Sequence, residues 1–402
     1  MSTDALPADG SPLVFVSASE PSADLHAASL IRAVRRLRPE IRFLGVAGPA
    51  MRDAGCWPIF DMTRHSAMLL GALRAVPQAL RLLATTKRHL RRYPAAAAVL
   101  VDSPTLNLPI ARLAKRRQVP VLYYVAPQLW AWGRFRTPRV RARVDRLAVI
   151  LPFEEEFFRS RRIAATYVGH PLFDKLVARP RSEDSISEIL ARGSPVIALL
   201  PGSRQHVVRE ILPGQIEVAR RILARFPSAH AGVSVANPVV APLVRRQIGA
   251  SGLPIAMYAD RNADLLPAAD LALVASGTAT LEVAYHHTPM IVMYNANRWA
   301  YQLVGRWLIR TAQLSLVNIL AGRELVPEFM PYYSSTDPIA ARALALLEDE
   351  GARRRLSDEL AALIDPLVKT GASENTARLL LDLIDHPPGN PGHPGGRAGR
   401  TP

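Results

Sequence analysis

Short runs of apolar residues alternate along this chain with longer stretches in which apolar positions recur every three or four residues. In the first half the runs occupy residues 13–17, 41–46, 97–101, 121–125, 146–150 and 165–168; the second half restarts with 196–200, 232–235, 271–274 and 290–294. Uninterrupted apolar runs of this length mark strands buried on both faces, as in a parallel sheet. The helical stretches between them, such as 22–38 and 108–117, supply right-handed crossovers. The pattern predicts an α/β chain of two doubly wound, Rossmann-like domains joined near residues 169–195. Ligands then bind outside the carboxyl ends of the strands, in a central cleft that the two domains face. The expected boundaries are a disordered tail over 1–11, a first domain over 12–175, a linker over 176–194, a second domain over 195–385 that includes the terminal helices, and a Pro- and Gly-rich disordered tail over 386–402.

Length agrees with two domains, since 402 residues exceed one ordinary core. A single cysteine, Cys56, excludes an internal disulfide and fits a reducing compartment. The polar start lacks a basic segment followed by an apolar core, and no apolar run approaches the roughly 20 residues that span a bilayer. Charge is uneven: residues 1–175 hold 27 Lys+Arg against 13 Asp+Glu, whereas 176–402 hold 23 against 21. The basic half calls for an anionic partner. Nucleic acid ranks last, because no zinc-ligand spacing, helix-turn-helix or RNA-binding aromatic motif accompanies the charge. An acidic substrate and an anionic membrane surface remain.

Two turns carry the chemistry. The run ending at Leu200 breaks at Pro201-Gly202-Ser203-Arg204, and the run ending at Val274 breaks at Ala275-Ser276-Gly277-Thr278; each leads into a helical pattern. Such turns present free backbone N–H groups, a helix dipole and, in the first, a guanidinium fork where a diphosphate would sit. Asp102 follows the apolar run 97–101, at a strand's carboxyl end, and Glu282 lies one turn into the helix after the second loop. His286 and His287 are adjacent and diverge on a helix, so no metal is expected.

The ordered set of motifs resembles the lipid-A-disaccharide synthases, inverting glycosyltransferases of the two-Rossmann GT-B type. It comprises Val101-Asp102-Ser103-Pro104 with Asn107, Tyr123 to Pro127 with Trp130-Ala131-Trp132, Leu151-Pro152-Phe153-Glu154 and Gly169-His170-Pro171-Leu172. It continues with Leu200 to Arg204, Ser276 to Glu282, and Asn318 to Glu324 with Val326-Pro327-Glu328. The resemblance covers about residues 12–385. It implies transfer of 2,3-diacylglucosamine from UDP to the 6-hydroxyl of 2,3-diacylglucosamine 1-phosphate, with Asp102 as the base. Gly202, Ser203, Arg204, Ser276, Gly277, Thr278, Glu282, Asn318 and Arg323 are then the donor-binding set, and Glu20, Ser22 and Asp24 the acceptor-binding set. UDP-sugar is a substrate and no cofactor is implied. Acylated substrates also imply a peripheral enzyme on the cytoplasmic face of the inner membrane. Leu69, Leu70 and Leu73, interleaved with cations onward to Arg92, are the expected membrane-facing residues, in two short helices separated at Pro77. A homodimer stays open.

The chain departs from the family pattern in places. Ser19-Glu20-Pro21-Ser22-Ala23-Asp24 replaces Gly-Glu-Ala-Ser-Gly-Asp, Thr105 replaces a second Asp, Gly133 an Arg, and Pro331 a Gln. Two other readings share the same fold: a UDP-sugar 2-epimerase-like isomerase, and a non-catalytic UDP- or lipid-binding paralogue.

Overall fold

The computed structural model describes residues 10–61, 72–131, 133–295 and 313–388. The chain divides into two units, one comprising Met1–Pro171 with Thr370–Pro402 and the other Leu172–Lys369.

The N-terminal unit is built on seven strands: β1 (Leu13–Ala18), β2 (Arg42–Val46), β3 (Cys56–Phe60), β4 (Ala97–Val101), β5 (Val121–Tyr124), β6 (Arg146–Val149) and β7 (Ala165–Tyr167). They lie in the order β3-β2-β1-β4-β5-β6-β7, and all pairs are parallel. The C-terminal unit holds β8 (Val196–Leu200), β9 (His230–Val235), β10 (Ile255–Ala259), β11 (Leu271–Ala275), β12 (Met290–Met293) and β13 (Glu328–Phe329), in the order β10-β9-β8-β11-β12-β13. Each sheet therefore starts in the middle, winds one way, and then reverses. The reversal leaves a crevice between β1 and β4 in one unit and between β8 and β11 in the other.

The central strands are legible because every residue of β4, β5, β8 and β11 is buried. The strands missed by apolar pattern are β3, β10 and β13. These are three of the four sheet edges, the fourth being β7, which the run 165–168 anticipated; β3 carries Pro58 and an exposed Trp57, and β13 has only two residues. An edge strand is covered on fewer sides and tolerates proline and polar side chains, so no continuous apolar run results.

Three further expectations are corrected. The last helix, Ala372–Asp385, belongs to the N-terminal unit and not to 195–385. Its Ala377, Leu380 and Leu383 are buried with Val14, Val16 and the helix Pro21–Leu37, and Arg38 pairs with Asp385 at 2.8 Å. The segment expected as a linker carries the helix Glu183–Leu190, part of the C-terminal unit. The region around Pro77 forms one helix, Ala72–Arg92, and not two. Pro77 stands in its second turn, where it forfeits the one bond its N–H would make to the carbonyl of residue 73.

Candidate active site

Register places the chemistry. β1 pairs with β4 so that Ala18 stands opposite Val101, and the residues that follow, Ser19-Glu20 and Asp102-Ser103, emerge side by side at the crevice of the N-terminal sheet. Ser103 donates to a Glu20 carboxylate oxygen at 3.3 Å, which ties the two loops. Asp102 and Ser103 are both left-handed, with φ of 53° and 44°, and Val125 at the end of neighbouring β5 is left-handed at 57°. Consecutive non-glycine residues in that region are strained, at about 1–3 kcal/mol each, and persist only where the surroundings hold them.

The surroundings here are specific. The buried amide of Asn107 donates to the carbonyls of Val101 at 2.9 Å and Asp102 at 2.7 Å, while its oxygen accepts from Ser17 at 2.8 Å. The Tyr123 hydroxyl donates to the Asp102 carbonyl at 2.5 Å. Burial, together with the nearby Asp102 charge, holds the Tyr123 phenol well above its usual range, so it stays a donor. The Asp102 backbone is thus clamped, and its half-buried carboxylate sits at the rim of the crevice.

In the C-terminal unit, β8 pairs with β11 so that Leu200 stands opposite Val274, which brings the two loops level. Gly202 and Gly277 are left-handed, with φ of 102° and 135°. A Cβ on Gly202 would lie 3.0 Å from Val207, whereas a Cβ on Gly277 would meet nothing within 4 Å, so that loop opens onto free space. Arg204 is exposed at the N-cap of the 21-residue helix Gln205–Arg225, in reach of an anion at the positive helix end. Ser203 and Thr278 are exposed, and Ser276 is half-buried. Glu282 is half-buried on the helix Ala279–Tyr285 and accepts from Asn262 at 3.1 Å; Asn262 in turn accepts from Ser234 at 2.6 Å. Burial raises the Glu282 carboxyl above its ordinary value, opposed by the Asn262 bond and by the charges of Lys175 and Arg179. Ser234 and Asn262 were not anticipated; their signal is position, at the end of β9 and at the start of the helix after β10.

Several expected ligand residues turn out to hold the fold. Asp24 is buried, and its carboxylate accepts from the backbone N–H groups of Gly48, Ala50 and Met51 at 2.9–3.2 Å. It caps the helix Pro49–Asp53 and is 3% exposed. Asn318 is fully buried: its oxygen accepts from Leu325 and Val326, and its nitrogen donates to Val326 and Glu328, all at 2.9 Å. Every hydrogen-bonding position of that amide is used in closing the loop before β13. Arg323 is exposed and pairs with Glu359, not with the acidic residues of its own motif. Ser22 is exposed on the first turn of the helix Pro21–Leu37. Trp130 is a core residue whose ring nitrogen donates to buried Glu154 at 2.9 Å. His170 is buried and neutral, its pKa lowered to about 3 by burial and by the charge of His26. Leu69, Leu70 and Trp132 lie outside the described residues, as does the side chain of Leu73.

Beyond residue 75 the helix Ala72–Arg92 buries Leu82, Thr86 and Leu90 and exposes Val76 (53%) and Leu80 (61%), followed by Lys87, Arg88, Arg91 and Arg92. Its outer face therefore runs from apolar to cationic. No helix among the described residues is long and apolar enough to cross a membrane.

Two Rossmann-like units, each with polar loops at the reversal of its strand order and, in the second, two glycine turns that lead into helices, make up a GT-B fold. Comparison with known proteins resolves the class. A family model described as lipid-A-disaccharide synthetase matches residues 14–379, and the chain belongs to that family. It is similar to the lipid-A-disaccharide synthase of Syntrophus aciditrophicus, 36% identical over 381 residues that cover 93% of this chain and 98% of that protein. The enzyme of the same name from Myxococcus xanthus is 35% identical, with 94% and 98% covered. The chain is accordingly a glycosyltransferase of lipid A biosynthesis. Among solved structures, the UDP-GlcNAc 2-epimerase from Neisseria meningitidis bound to UDP-GlcNAc superposes with a TM-score of 0.57 at 12% identity, covering 92% of this chain and 99% of that one. The glycotransferase of kitacinnamycin gives 0.58 at 16%, with 93% and 99% covered. At such identity the likeness establishes the fold alone, so it gives the epimerase reading no support.

Proposed function

We propose that Asp102 is the general base of an inverting transfer of 2,3-diacylglucosamine from UDP to the 6-hydroxyl of 2,3-diacylglucosamine 1-phosphate. As the acceptor oxygen attacks the anomeric carbon, its proton passes to the Asp102 carboxylate. The bond from that carbon to the UDP oxygen breaks, and its electron pair leaves with UDP. Gly202, Ser203 and Arg204, with Ser276, Gly277 and Thr278, take up the charge that grows on the departing diphosphate. Glu282, held by Asn262, accepts from the ribose hydroxyls. Glu20, fixed by Ser103, orients the acceptor sugar, with Ser22 beside it. The observation that carries this reading is positional: base and leaving-group loops both stand at the strand-order reversal of their sheets.

The apolar-to-cationic face of the helix Ala72–Arg92 lies on the anionic cytoplasmic surface of the inner membrane, where both acylated substrates reside. Purified protein should release UDP from UDP-diacylglucosamine only when the lipid acceptor is added. Asp102→Ala should lose turnover by at least about 100-fold and keep donor binding. Turnover at the wild-type rate would remove Asp102 from the mechanism.

A further inference from the structure

One stretch of the N-terminal unit is almost free of negative charge. Residues 72–144 contain 15 Lys and Arg and a single carboxylate, Asp102. Three helices carry 11 of these cations, Ala72–Arg92, Pro104–Lys115 and Thr137–Arg143, and Lys115 pairs at 2.7 Å with Asp145, just beyond the stretch. Leu82, Leu90, Leu108, Ile110 and Val140 from these helices share one core, against one face of the sheet. The middle helix contacts both others, so the three form a continuous surface. On the opposite face, the helices Pro21–Leu37 and Ala372–Asp385 mix signs, and cations there find partners such as Arg38 with Asp385 and Arg378 with Glu374.

The far end of this layer repeats the composition of the helix Ala72–Arg92. In the turn Arg134–Arg136, Phe135 is 60% exposed, with the Arg136 guanidinium 5.2 Å from its ring centre. Arg139 and Arg141 are exposed on the adjoining helix Thr137–Arg143, and no carboxylate pairs with Arg134, Arg139 or Arg141 among the described residues. Arg143 is held below its usual range by burial and then by the charges of Arg112 and Arg139. Unpaired like charges around an exposed aromatic destabilise the isolated fold, and an anionic surface with an apolar layer beneath relieves both costs.

We propose that residues 134–143 form a second lipid-docking patch, in which Phe135 enters the headgroup zone of an anionic bilayer while Arg134, Arg139 and Arg141 meet lipid phosphates. The proposal rests on the membrane reading above and adds a second anchor to the helix Ala72–Arg92. Two anchors on one layer fix how the unit lies on the surface, and not only whether it binds. A nucleic-acid partner is the weaker fit, because the exposed apolar residues Val76 and Leu80 on the same layer offer nothing to a phosphate backbone.

The test is flotation of the full-length protein with phosphatidylcholine vesicles and with vesicles containing one quarter phosphatidylglycerol, at low and high salt. Wild type should float with the anionic vesicles and less so at high salt. The triple substitution Phe135→Ser, Arg139→Glu, Arg141→Glu should weaken that partitioning at least roughly tenfold, with the melting temperature unchanged. Val76→Ser with Leu80→Ser should weaken it separately, which reports on the first anchor. A triple variant that floats like wild type, while the helix variant does not, overturns the second patch and leaves the membrane reading intact. Wild type that floats with neither vesicle overturns both. Loss of binding to a duplex DNA probe with flotation unchanged would give the patch to nucleic acid instead.

Discussion

Replacing Asn107 by leucine tests whether the buried amide holds Asp102 in its strained conformation. The side chain makes three bonds, one accepted from Ser17 and two donated to the carbonyls of Val101 and Asp102, and both Asn107 and Ser17 are buried. At about 1 kcal/mol for each bond, and a further 1–2 kcal/mol for the Ser17 hydroxyl left without a partner, the loss is about 4–5 kcal/mol. The apolar isostere returns roughly 1 kcal/mol of that through its own burial. A net cost of about 3–4 kcal/mol lowers the melting temperature of a unit of this size by roughly 6–16 °C. Calorimetry should show that shift in the transition of the N-terminal unit alone. Adding Ser17→Ala removes the stranded hydroxyl and should recover about 1–2 kcal/mol.

The same change reports on catalysis. With only Tyr123 left on its carbonyl, the left-handed Asp102 relaxes toward an ordinary conformation and its carboxylate leaves the attacking geometry. A displacement of about 1 Å costs up to roughly 100-fold in rate. We expect kcat to fall by at least tenfold, with the KM for UDP-sugar unchanged because the donor loops lie in the other unit. A variant melting within 2 °C of wild type, or one with wild-type kcat, would refute the argument that this amide clamps the base.

The remaining predictions separate anion-binding, scaffold and surface residues. Arg204→Ala should weaken UDP binding by about 1.5–3 kcal/mol, the worth of a charge-assisted contact, and an unchanged titration curve would exclude it from the diphosphate site. Asn318→Ala should destabilise the C-terminal unit by about 3 kcal/mol or more, whereas Arg323→Ala, which breaks an exposed pair with Glu359, should cost under about 1 kcal/mol and leave turnover intact; equal effects in urea unfolding would contradict that assignment. In the C-terminal unit, His286 is lowered by burial to about 4 and His230 is lowered by burial too, so the unfolded form binds the extra protons and stability rises from pH 4 toward 6.5, opposed by Glu282, which burial raises. In the N-terminal unit, His170, lowered to about 3, acts in the same direction, but Glu154, raised by burial to about 7, binds its proton in the folded state and opposes it above pH 4.5. Melting profiles should therefore show the C-terminal transition rising between pH 4.5 and 6.5 while the N-terminal one stays nearly flat, and parallel profiles would exclude this pairing of buried groups.

What was legible in the sequence follows from where a residue's constraints come from. The central strands announce themselves because burial on both faces forbids polar side chains, and the donor loops do so because a strand must stop before a helix can start. Pro201-Gly202 and Gly277 write that stop into the chain. Three of the four edge strands and the last helix carry no such mark: the apolar face of Ala372–Asp385 is plain from its spacing, but spacing does not say that its partner is the helix Pro21–Leu37, about 340 residues earlier. The site residues divide on the same ground. Asp102 and Glu20 follow strand ends at the reversal of their sheet and stay half-buried, as does Glu282 on the helix after β11. Asp24 and Asn318 belong to equally polar motifs, yet their side chains turn inward to satisfy backbone groups of the loops they shape. A polar motif residue serves either the ligand or the loop that receives the ligand, and only the direction of its side chain distinguishes the two. Asn107 fills the second role for Asp102 itself, since the backbone of that residue is held by an amide whose bonds go to Ser17, Val101 and Asp102.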